Sequence, residues 1–367
     1  MKQPTRTSKP LIVVGGGPIG LETAVAATRR GVPVCVLEKG SIGETMTWWA
    51  PGTRWFSSND RIAIAGVPLL NDDQTKATRE QYLTYLRSIA TQFDLPIRTG
   101  ANVVGVSGRP GDMSVEVECR GKTDTIAASA VVLAIGGTDR PRRLGVEGED
   151  LPHVDGYLRE VHRYFGRRVL IVGGRNSAIE AALRLHRAGA RVTLSYRGEA
   201  LPEESIKYWL RPEVLGLLKT GGIRGIFSSN VRRIRRDDVE LDTPDGLERV
   251  DADDVLTLIG YEQDPTLFRS VGVEMEGPMN RPHHDPATML TNRPGVYVAG
   301  TATAGTQSSS YKTFLENCHV HVERLLDHYI ADRSLGETDA RDRSAPHPRF
   351  PATDATLTGM VELHPES

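Results

Sequence analysis

Residues 11–20 read LIVVGGGPIG and decide the fold, because a short apolar run breaks there into a glycine-rich turn. The turn holds a GxGxxG motif made by Gly15, Gly17 and Gly20. Pro18 and Ile19 are the two residues before its last glycine. The helical pattern LETAVAATRRG follows at once. A strand, a tight turn and a helix in this order leave backbone N–H groups and a helix N-terminus free to bind a pyrophosphate.

A second strand pattern supports the same interpretation. The segment VPVCVLE ends in Glu38, which lies 23 positions after Gly15, and Lys39 follows it. An acidic residue at about this distance binds the ribose hydroxyls of a dinucleotide. The alternative is a glycine turn that serves only to pack a helix against a strand. A dinucleotide site is favoured because the strand, the glycine turn and the helix are followed by a second strand that ends in an acidic residue.

The same design recurs in the middle of the chain. Residues 168–172 (RVLIV) lead into a second turn, followed by the helical IEAALRLHRAG and the strand RVTLSYR. The turn consists of Gly173, Gly174, Arg175, Asn176, Ser177 and Ala178, with Arg175 in place of the second glycine. Two such units predict an α/β protein with two Rossmann-like dinucleotide-binding domains.

Basic residues stand at the end of the second strand of this unit, where the first unit has Glu38. The strand RVTLSYR ends without a carboxylate, and Arg197 stands there with Lys207 nearby. An acid at this point favours NAD through its 2′-hydroxyl, whereas an arginine accommodates the 2′-phosphate of NADP. The second unit is therefore predicted to bind NADPH, an ordinary exposed arginine at a strand end being the alternative.

Further apolar strands divide the chain. Residues 130–135 stop at Gly136, residues 255–260 end in Gly260, and residues 295–300 end in Gly300 before Thr301. The predicted order is a first segment of one domain (10–152), an inserted second domain (153–260), a second segment of the first domain (261–334) and a polar tail (335–367).

Composition excludes several classes of protein. The formal net charge of −2 gives no field that would attract nucleic acid or an anionic membrane. No apolar run approaches the ~20 residues that a membrane-spanning helix needs, and no signal peptide is recognised. The three cysteines form no CxxC pair and the histidines have no metal-binding spacing, so we expect a cytoplasmic protein without disulfides or metal.

With these motifs the chain resembles the thioredoxin-reductase-like FAD/NAD(P)H flavoproteins, and more narrowly the YpdA-type bacillithiol-disulfide reductases. The resemblance rests on RWFSSNDRIAIAGVPL, YFGRRVLIVGGRNSAIEAAL, SIKYW, LIGYEQD and FLENCHVH, and it spans residues 10–328. It implies that the first unit binds FAD through Gly15, Gly17, Pro18, Ile19, Gly20, Glu38, Lys39, Phe56, Ser57, Val103, Gly136, Gly300 and Thr301. It implies that the inserted unit binds NADPH through Gly173, Gly174, Arg175, Asn176, Ser177, Ala178, Arg197, Lys207 and Gly260.

The chain departs from that family at its reactive thiols. Family members carry a cysteine in the first glycine turn, where this chain has Ile19, and thioredoxin reductases carry a CxxC that is absent here. Cys318 and His319 on the last predicted helix are the remaining candidate catalytic residues, with structural roles as the alternative. Trp48 and Trp55 belong to an aromatic stretch that is expected either to stack on the flavin or to cap a core.

The predicted function is an FAD-dependent NADPH oxidoreductase that passes a hydride from NADPH through flavin N5 to a small acceptor, such as a low-molecular-weight disulfide. Three alternatives stay open: a ferredoxin or flavodoxin reductase, a flavin monooxygenase and a nucleotide-binding redox sensor. The monooxygenase motif FxGxxxH is not matched, because His162 comes two places too late after Gly156. The resemblance also implies a homo-oligomer.

Overall fold

The structure is a computed structural model that describes residues 9–306 and 313–338, and it divides into two compact units. The first unit contains residues 9–47, 54–139 and 263–338, apart from the undescribed 307–312, and is called the flavin unit below. The second contains Trp48–Thr53 and Arg140–Glu262 and is called the nucleotide unit. Each is built around its own parallel sheet.

The strands alternate with short helices through both units. The strands are β1 (Leu11–Val14), β2 (Val34–Glu38), β3 (Ile97–Thr99), β4 (Asn102–Arg109), β5 (Asp112–Cys119), β6 (Lys122–Ala128), β7 (Ala130–Leu133), β8 (Arg140–Pro141), β9 (Val154–Asp155), β10 (Arg168–Val172), β11 (Arg191–Ser195), β12 (Arg224–Ile226), β13 (Asn230–Ile234), β14 (Asp238–Thr243), β15 (Gly246–Asp251), β16 (Asp254–Thr257), β17 (Tyr261–Glu262), β18 (Met275–Glu276), β19 (Arg281–Pro282) and β20 (Val296–Val298). The α-helices are α1 (Pro18–Arg29), α2 (Glu44–Thr47), α3 (Asn59–Ile62), α4 (Arg79–Gln92), α5 (Asn176–Arg187), α6 (Arg211–Thr220), α7 (Thr266–Ser270) and α8 (His319–Thr338). Short 3₁₀ turns cover Val161–Tyr164, Glu203–Ser205, Gly300–Ala304 and Leu315–Asn317.

The main sheet of the flavin unit has the order β20-β7-β1-β2-β3, with all pairings parallel. Every residue of β1 and β7 is buried, as expected for strands covered on both faces. The chain leaves β1 for β2 on one side and later returns to β7 on the other. The order of strands therefore reverses at β1, which is where parallel sheets bind ligands beyond their carboxyl ends. The antiparallel sheet β4-β5-β6 packs into the same core.

The nucleotide unit repeats this plan. Its parallel sheet has the order β12-β11-β10-β16-β9, and α5 connects β10 to β11. Strand β10 pairs with β11 on one side and with β16 on the other, so the order reverses at β10. The predicted fold class, two Rossmann-like domains, is confirmed by this arrangement.

The boundaries between units differ from the predicted ones at 152/153 and 260/261. The chain passes from one unit to the other at Asp139/Arg140 and at Glu262/Gln263. Residues 140–152 belong to the nucleotide unit because β8 pairs with β17 and because Leu144, Val146 and Leu151 pack against its core. Apolar contacts between distant segments therefore set the boundary.

The end of the chain also differs from its prediction. Helix α8 continues to Thr338, so residues 335–338 are helical and do not belong to a tail. The remainder of the predicted tail, residues 339–367, lies outside the described residues. Within the part of the chain that is described, no helix is both long and apolar enough to cross a membrane.

Candidate functional site

The glycine turn of the flavin unit brings strand, helix and neighbouring strand into close contact. Gly15 has φ of 109°, and a Cβ there would lie 2.4 Å from the carbonyl oxygen of Ala134, just after β7. A Cβ on Gly20 would lie 1.9 Å from the carbonyl oxygen of Gly15. Only glycine fits at either position, so these two glycines serve the packing of the turn itself.

Gly17 has a different role, because its surroundings are open. It is the N-cap of α1 with φ of −80° and ψ of −177°, and a Cβ there would meet no atom within 4 Å. The N-terminus of α1 has no side-chain cap and no acidic residue in its first turn. The partial positive charge of the helix end therefore faces open space, and an anionic pyrophosphate fits there.

Glu38 ends β2 beside this turn and is held in place by the backbone. It is 6% exposed, its Oε2 accepts a hydrogen bond from Gly16 N at 2.6 Å, and its Oε1 accepts one from Gly40 N at 2.7 Å. Each carboxylate oxygen can accept more than one hydrogen bond. The carboxylate is therefore preorganised to accept the ribose hydroxyls of a dinucleotide next to Gly17, and FAD fits this unit.

The turn that follows β20 lies close to the glycine turn that follows β1. A Cβ on Gly300, whose φ is 75°, would lie 3.2 Å from Cβ of Ile19. Ile19 is 6% exposed, so its side chain fills the space where the related family carries a cysteine. Gly136 follows β7 with φ of 82° and open space beside it, while Thr301 is half-buried in the 3₁₀ turn after β20. The fold thus gathers Ile19, Gly136, Gly300 and Thr301 near one edge of the sheet.

The other residues predicted to bind FAD make ordinary contacts within the protein, which do not by themselves indicate a cofactor site. Lys39 lies with its Nζ 3.8 Å from Asp139, and Ser57 donates a hydrogen bond of 2.8 Å to Glu316. The carbonyl of Phe56 accepts a hydrogen bond from Lys76. Val103 is 6% exposed and its side chain packs into the core, so only its backbone is available to a ligand. Their roles stay predictions.

The two candidate catalytic residues on the last helix are engaged in structural contacts. Cys318 is buried, its Sγ donates to the carbonyl of Phe314 at 2.9 Å, and burial raises the pKa of its thiol well above the usual range. A thiol in this state is a poor nucleophile. His319 makes two hydrogen bonds, from Nδ1 to Glu22 at 2.7 Å and from Nε2 to the carbonyl of Arg61 at 3.1 Å. Glu22 raises the pKa of His319.

A second histidine on α8 touches the flavin-side turn directly. The backbone N–H of Gly300 donates to Nδ1 of His321 at 3.2 Å. Burial lowers the pKa of His321 to about 3, so the ring is neutral and able to accept this bond. His284 is a half-buried neighbour, and desolvation lowers its pKa as well. His321 is not among the predicted site residues, and the structure makes it a support of the Gly300 turn.

The turn of the nucleotide unit follows the same geometry with different residues. Gly173 has φ of 143°, and a Cβ there would lie 2.4 Å from the carbonyl oxygen of Leu258. A Cβ on Gly174 would lie 2.5 Å from the ring of Tyr196. Arg175 is the N-cap of α5 with φ of −108° and ψ of −174°, an extended conformation that any residue adopts. The non-glycine residue is therefore accommodated without strain.

Three predicted basic residues belong to this unit, and one of them contacts the start of α5 through its backbone. Arg175 and Arg197 are exposed and Lys207 is half-buried, and among the described residues no carboxylate lies within 4 Å of their charged groups. The backbone N–H of Lys207 donates to Oδ1 of Asn176 at 2.8 Å, which ties the loop that carries Lys207 to the start of α5. Several other arginines of the unit, Arg191 among them, also lack an ion pair among the described residues, so the role of these three cations in binding an anion stays a prediction.

The remaining predicted NADPH residues lie in the same unit. Ser177 and Ala178 are in the first turn of α5, Ser177 exposed and Ala178 buried. Gly260 follows β16 with φ of 102°, and its carbonyl accepts from Arg142 N at 2.9 Å. These positions line the carboxyl edge of the sheet, where a dinucleotide is expected.

Sequence reasoning missed an aromatic cluster in the nucleotide unit. Trp48 packs on Tyr157 with ring centroids 5.6 Å apart, and Tyr157 stacks on Tyr261 at 5.7 Å. Glu180 on α5 lies near, and burial raises the pKa of its carboxyl. Trp55 belongs instead to the flavin unit, where its ring lies 4.6 Å from that of Tyr82. Trp48 and Trp55 of the aromatic stretch thus belong to different units. No local pattern in the sequence indicates this division.

Two βαβ units, each with a glycine-rich turn at a switch point of its parallel sheet, are the arrangement expected of a protein that binds two dinucleotides. The comparison with known families agrees: residues 12–300 match the family described as pyridine nucleotide-disulphide oxidoreductase. The chain belongs to this family. It is an FAD-dependent enzyme that takes its electrons from NADPH, so the predicted enzyme class and cofactors are confirmed.

Individual relatives narrow the comparison. The chain is 32% identical to bacilliredoxin reductase Bdr of Bacillus subtilis over 84% of this chain and 94% of that protein. The solved structure of bacillithiol disulfide reductase Bdr (YpdA) from Bacillus cereus has a TM-score of 0.83 at 30% identity, covering 88% of this chain and 99% of that one. The ferredoxin–NADP reductase of Saccharopolyspora erythraea is 30% identical over 80% of this chain and 85% of that protein. The predicted resemblance to the YpdA-type family is confirmed.

Proposed function

We propose that this protein is an NADPH-dependent reductase of a low-molecular-weight disulfide, with bacillithiol disulfide as the first candidate. The observation that carries the proposal is the match to two Bdr proteins along nearly the whole of their length. The overall reaction consumes NADPH, one proton and a disulfide, and it yields NADP⁺ and two thiols.

The residues of the flavin unit bind and orient the cofactor in this proposal. FAD, when bound, accepts two electrons from NADPH and passes them to the acceptor. The N-terminus of α1 at Gly17 binds its pyrophosphate, and Glu38 accepts its ribose hydroxyls. Gly136, Gly300 and Thr301 border its flavin end, and His321 holds the Gly300 turn through Nδ1.

The residues of the nucleotide unit select the electron donor. The N-terminus of α5 binds the pyrophosphate of NADPH, and Arg175 lies beside it. Arg197 and Lys207 bind the 2′-phosphate in this proposal, because Arg197 follows the end of β11 and the backbone of Lys207 is bonded to Asn176 at the start of α5. A phosphate with two charges gains charge-assisted hydrogen bonds from such a pair.

Cleavage of the disulfide is proposed to proceed without a protein thiol. Ile19 takes the position of the family cysteine, and Cys318 is a buried thiol with a raised pKa. Cys35 is half-buried in β2, and burial raises the pKa of its thiol as well. The enzyme is therefore expected to reduce its acceptor directly from the reduced cofactor, with no mixed disulfide between substrate and protein.

Anaerobic kinetics with NADPH test the proposal. Bacillithiol disulfide, glutathione disulfide and cystine are each mixed with the NADPH-reduced holoenzyme, and reoxidation of the flavin absorbance is followed. We expect reoxidation by one of them at the same rate in wild type and in Cys318→Ala. No reoxidation by any disulfide contradicts the proposal, and a loss of rate in Cys318→Ala contradicts the thiol-free route.

A ferredoxin reductase is the second candidate, favoured by one observation. Such relatives are 26–30% identical over about four fifths of this chain. The same reduced enzyme is therefore mixed with ferredoxin and with flavodoxin. Reoxidation by either, with disulfides inert, assigns the enzyme to this class.

The location and assembly of the protein are proposed from the same resemblance. We expect a cytoplasmic homo-oligomer, and the free cysteines of the described residues are compatible with a reducing compartment. Light scattering after size exclusion measures the assembly, and a monomer at micromolar concentration contradicts it.

A further inference from the structure

The glycine turns of the two units can be compared residue by residue, because their elements have the same lengths and spacing. Helices α1 and α5 each contain 12 residues, and they begin 158 positions apart, at residues 18 and 176. The backbone agrees at the strand ends. The N–H of Gly15 donates to the carbonyl oxygen of Leu37 at 2.8 Å. In the same way the N–H of Gly173 donates to that of Ser195 at 3.0 Å. Each residue of one turn therefore has a structural equivalent 158 positions away in the other.

This equivalence places Tyr196, one residue before Arg197, at the position of Glu38. In the flavin unit, a Cβ on Gly16 would lie 3.1 Å from Cβ of Glu38. In the nucleotide unit, a Cβ on the equivalent Gly174 would lie 2.5 Å from Cδ2 of the Tyr196 ring. Both side chains thus lie against the second residue of their own glycine turn. An aromatic ring occupies in one unit the place that a carboxylate occupies in the other.

The ring of Tyr196 fills the space between two glycines. One edge of the ring lies against Gly174, and a Cβ on Gly198 would lie 2.7 Å from Cε1 on the other edge. Neither glycine has a φ in the left-handed region, so the ring, and not the backbone conformation, excludes a side chain at both positions. The side chain of Tyr196 is half-buried, so part of it remains exposed next to the turn.

The difference between the two side chains is one of charge. In the flavin unit, the N–H groups of Gly16 and Gly40 donate to the carboxylate of Glu38. The equivalent N–H groups, those of Gly174 and Gly198, donate no hydrogen bond among the described residues. The backbone donors that hold a carboxylate in one unit are therefore present without one in the other. A carboxylate at this point accepts the 2′-hydroxyl of NADH and repels the 2′-phosphate of NADPH, whereas an uncharged ring does neither.

We propose that Tyr196 sets the preference of this enzyme for NADPH over NADH. Its ring takes the place of the ribose-binding carboxylate, so no negative charge at this position opposes the 2′-phosphate. Arg197 supplies the favourable contact to the phosphate, and Tyr196 keeps the unfavourable one away. The proposal rests on the assignment of NADPH to the nucleotide unit in the proposed function, and it holds for either class of electron acceptor.

Nucleotide binding to the FAD-loaded enzyme tests the proposal without an acceptor. Dissociation constants for NADP⁺ and NAD⁺ are measured by isothermal titration calorimetry for wild type and Tyr196→Glu. In this variant the N–H groups of Gly174 and Gly198 can bind the new carboxylate as their equivalents bind Glu38. We expect the ratio of the NAD⁺ to the NADP⁺ dissociation constant to fall at least about a hundredfold, because the carboxylate repels the 2′-phosphate and accepts the ribose hydroxyl.

Tyr196→Gln is the matched control, because glutamine has the shape of glutamate without its charge. The ratio should change less than about fivefold in this variant, since an uncharged amide does not repel a phosphate. An equal fall in both variants attributes the effect to the loss of the ring and overturns the inference. Tyr196→Asp replaces Tyr196→Glu if that variant does not fold, and the ratio is expected to change in the same direction.

An unchanged ratio in Tyr196→Glu also overturns the inference. Titration of Arg197→Ala under the same conditions separates this result from a failure of the proposed function. If the ratio falls in Arg197→Ala alone, the NADPH site stands and only the role of Tyr196 is wrong. If the ratio changes in neither variant, the assignment of NADPH to the nucleotide unit is contradicted together with the inference.

Discussion

At the scale of single residues, the glycines of the first turn divide into two kinds. Gly15 and Gly20 leave no space for a Cβ within the protein, whereas the space beside Gly17 is open. The motif GxGxxG does not distinguish these roles, because each position is simply a glycine. The structure assigns two of them to folding, and the open space at the third agrees with its proposed role in the approach of the cofactor.

This division predicts opposite effects of two alanine substitutions. Gly17→Ala should leave the free energy of unfolding of the apoprotein within about 1 kcal/mol of wild type, because its φ of −80° suits alanine. It should weaken FAD binding at least about tenfold, since the methyl group occupies the pyrophosphate groove. Titration of the apoprotein with FAD and urea unfolding measure the two effects.

Gly20→Ala is the matched comparison. Its Cβ would lie 1.9 Å from the carbonyl oxygen of Gly15, so the apoprotein should lose more than about 2 kcal/mol of stability. Equal stability losses in both variants would show that Gly17 is also a packing glycine.

The basic residues after β11 give a second prediction at this scale. Arg197→Ala should lower the ratio of kcat/KM for NADPH over NADH about tenfold or more, mainly through a higher KM for NADPH, because a charge-assisted contact to phosphate is lost. Steady-state kinetics with both nucleotides and one acceptor measure the ratio. Arg191→Ala, an exposed arginine at the opposite end of the same strand, is the control and should leave the ratio unchanged. An unchanged ratio in Arg197→Ala removes this residue from the 2′-phosphate site.

At the scale of elements, α8 carries two histidines whose pKa values are shifted in opposite directions. His319 bonds to Glu22 on α1 and has a raised pKa, whereas His321 bonds to Gly300 N and has a pKa lowered to about 3 by burial. A raised pKa stabilises the fold below the unfolded value of about 6.5, and this contribution is lost as pH rises through the folded pKa. The lowered pKa of His321 acts in the opposite direction, because the stability of the fold decreases as pH falls below about 6.5.

The buried His321 predicts sensitivity to acid. Its unfolded form binds a proton below pH about 6.5 while the folded form stays neutral, so stability falls as pH decreases from there towards 3. His321→Asn keeps an acceptor for Gly300 N and should reduce the slope of unfolding free energy by about 1.4 kcal/mol per pH unit between pH 6 and 5. Urea titrations at both pH values measure the slope. The exposed His162→Asn is the control, and an unchanged slope in His321→Asn contradicts the assignment of a neutral buried ring.

At the scale of the whole molecule, two units with separate cores carry two separate dinucleotide turns. A ligand raises the free energy of opening of the cooperative unit that binds it, and units that open separately are protected separately. FAD should therefore slow amide hydrogen exchange in β1, α1, β7 and β20, and NADP⁺ should slow it in β10, α5 and β11. Hydrogen exchange of the apoprotein with each ligand alone tests this, and protection by NADP⁺ in α1 would contradict the assignment of the two units.

Local sequence determined the two βαβ units, because a buried strand, a glycine turn and an amphipathic helix are encoded within about 30 consecutive residues. The glycine positions and the place of Glu38 could be predicted for the same reason, whereas the roles of Arg175, Arg197 and Lys207 stay predictions. Comparison with the family motif also predicts from the sequence that Ile19 stands where family members carry a cysteine. Each of these features depends on residues that are close along the chain.

Tertiary structure alone decided the rest. The boundary at Asp139/Arg140, the membership of Trp48–Thr53 in the nucleotide unit and the burial of Cys318 depend on packing between distant segments. Gln263 reaches a carbonyl 127 positions away, and His319 meets Glu22 across 297 positions. Such contacts leave no periodicity in the sequence, because their spacing is set by the folded chain and not by the repeat of a helix or strand.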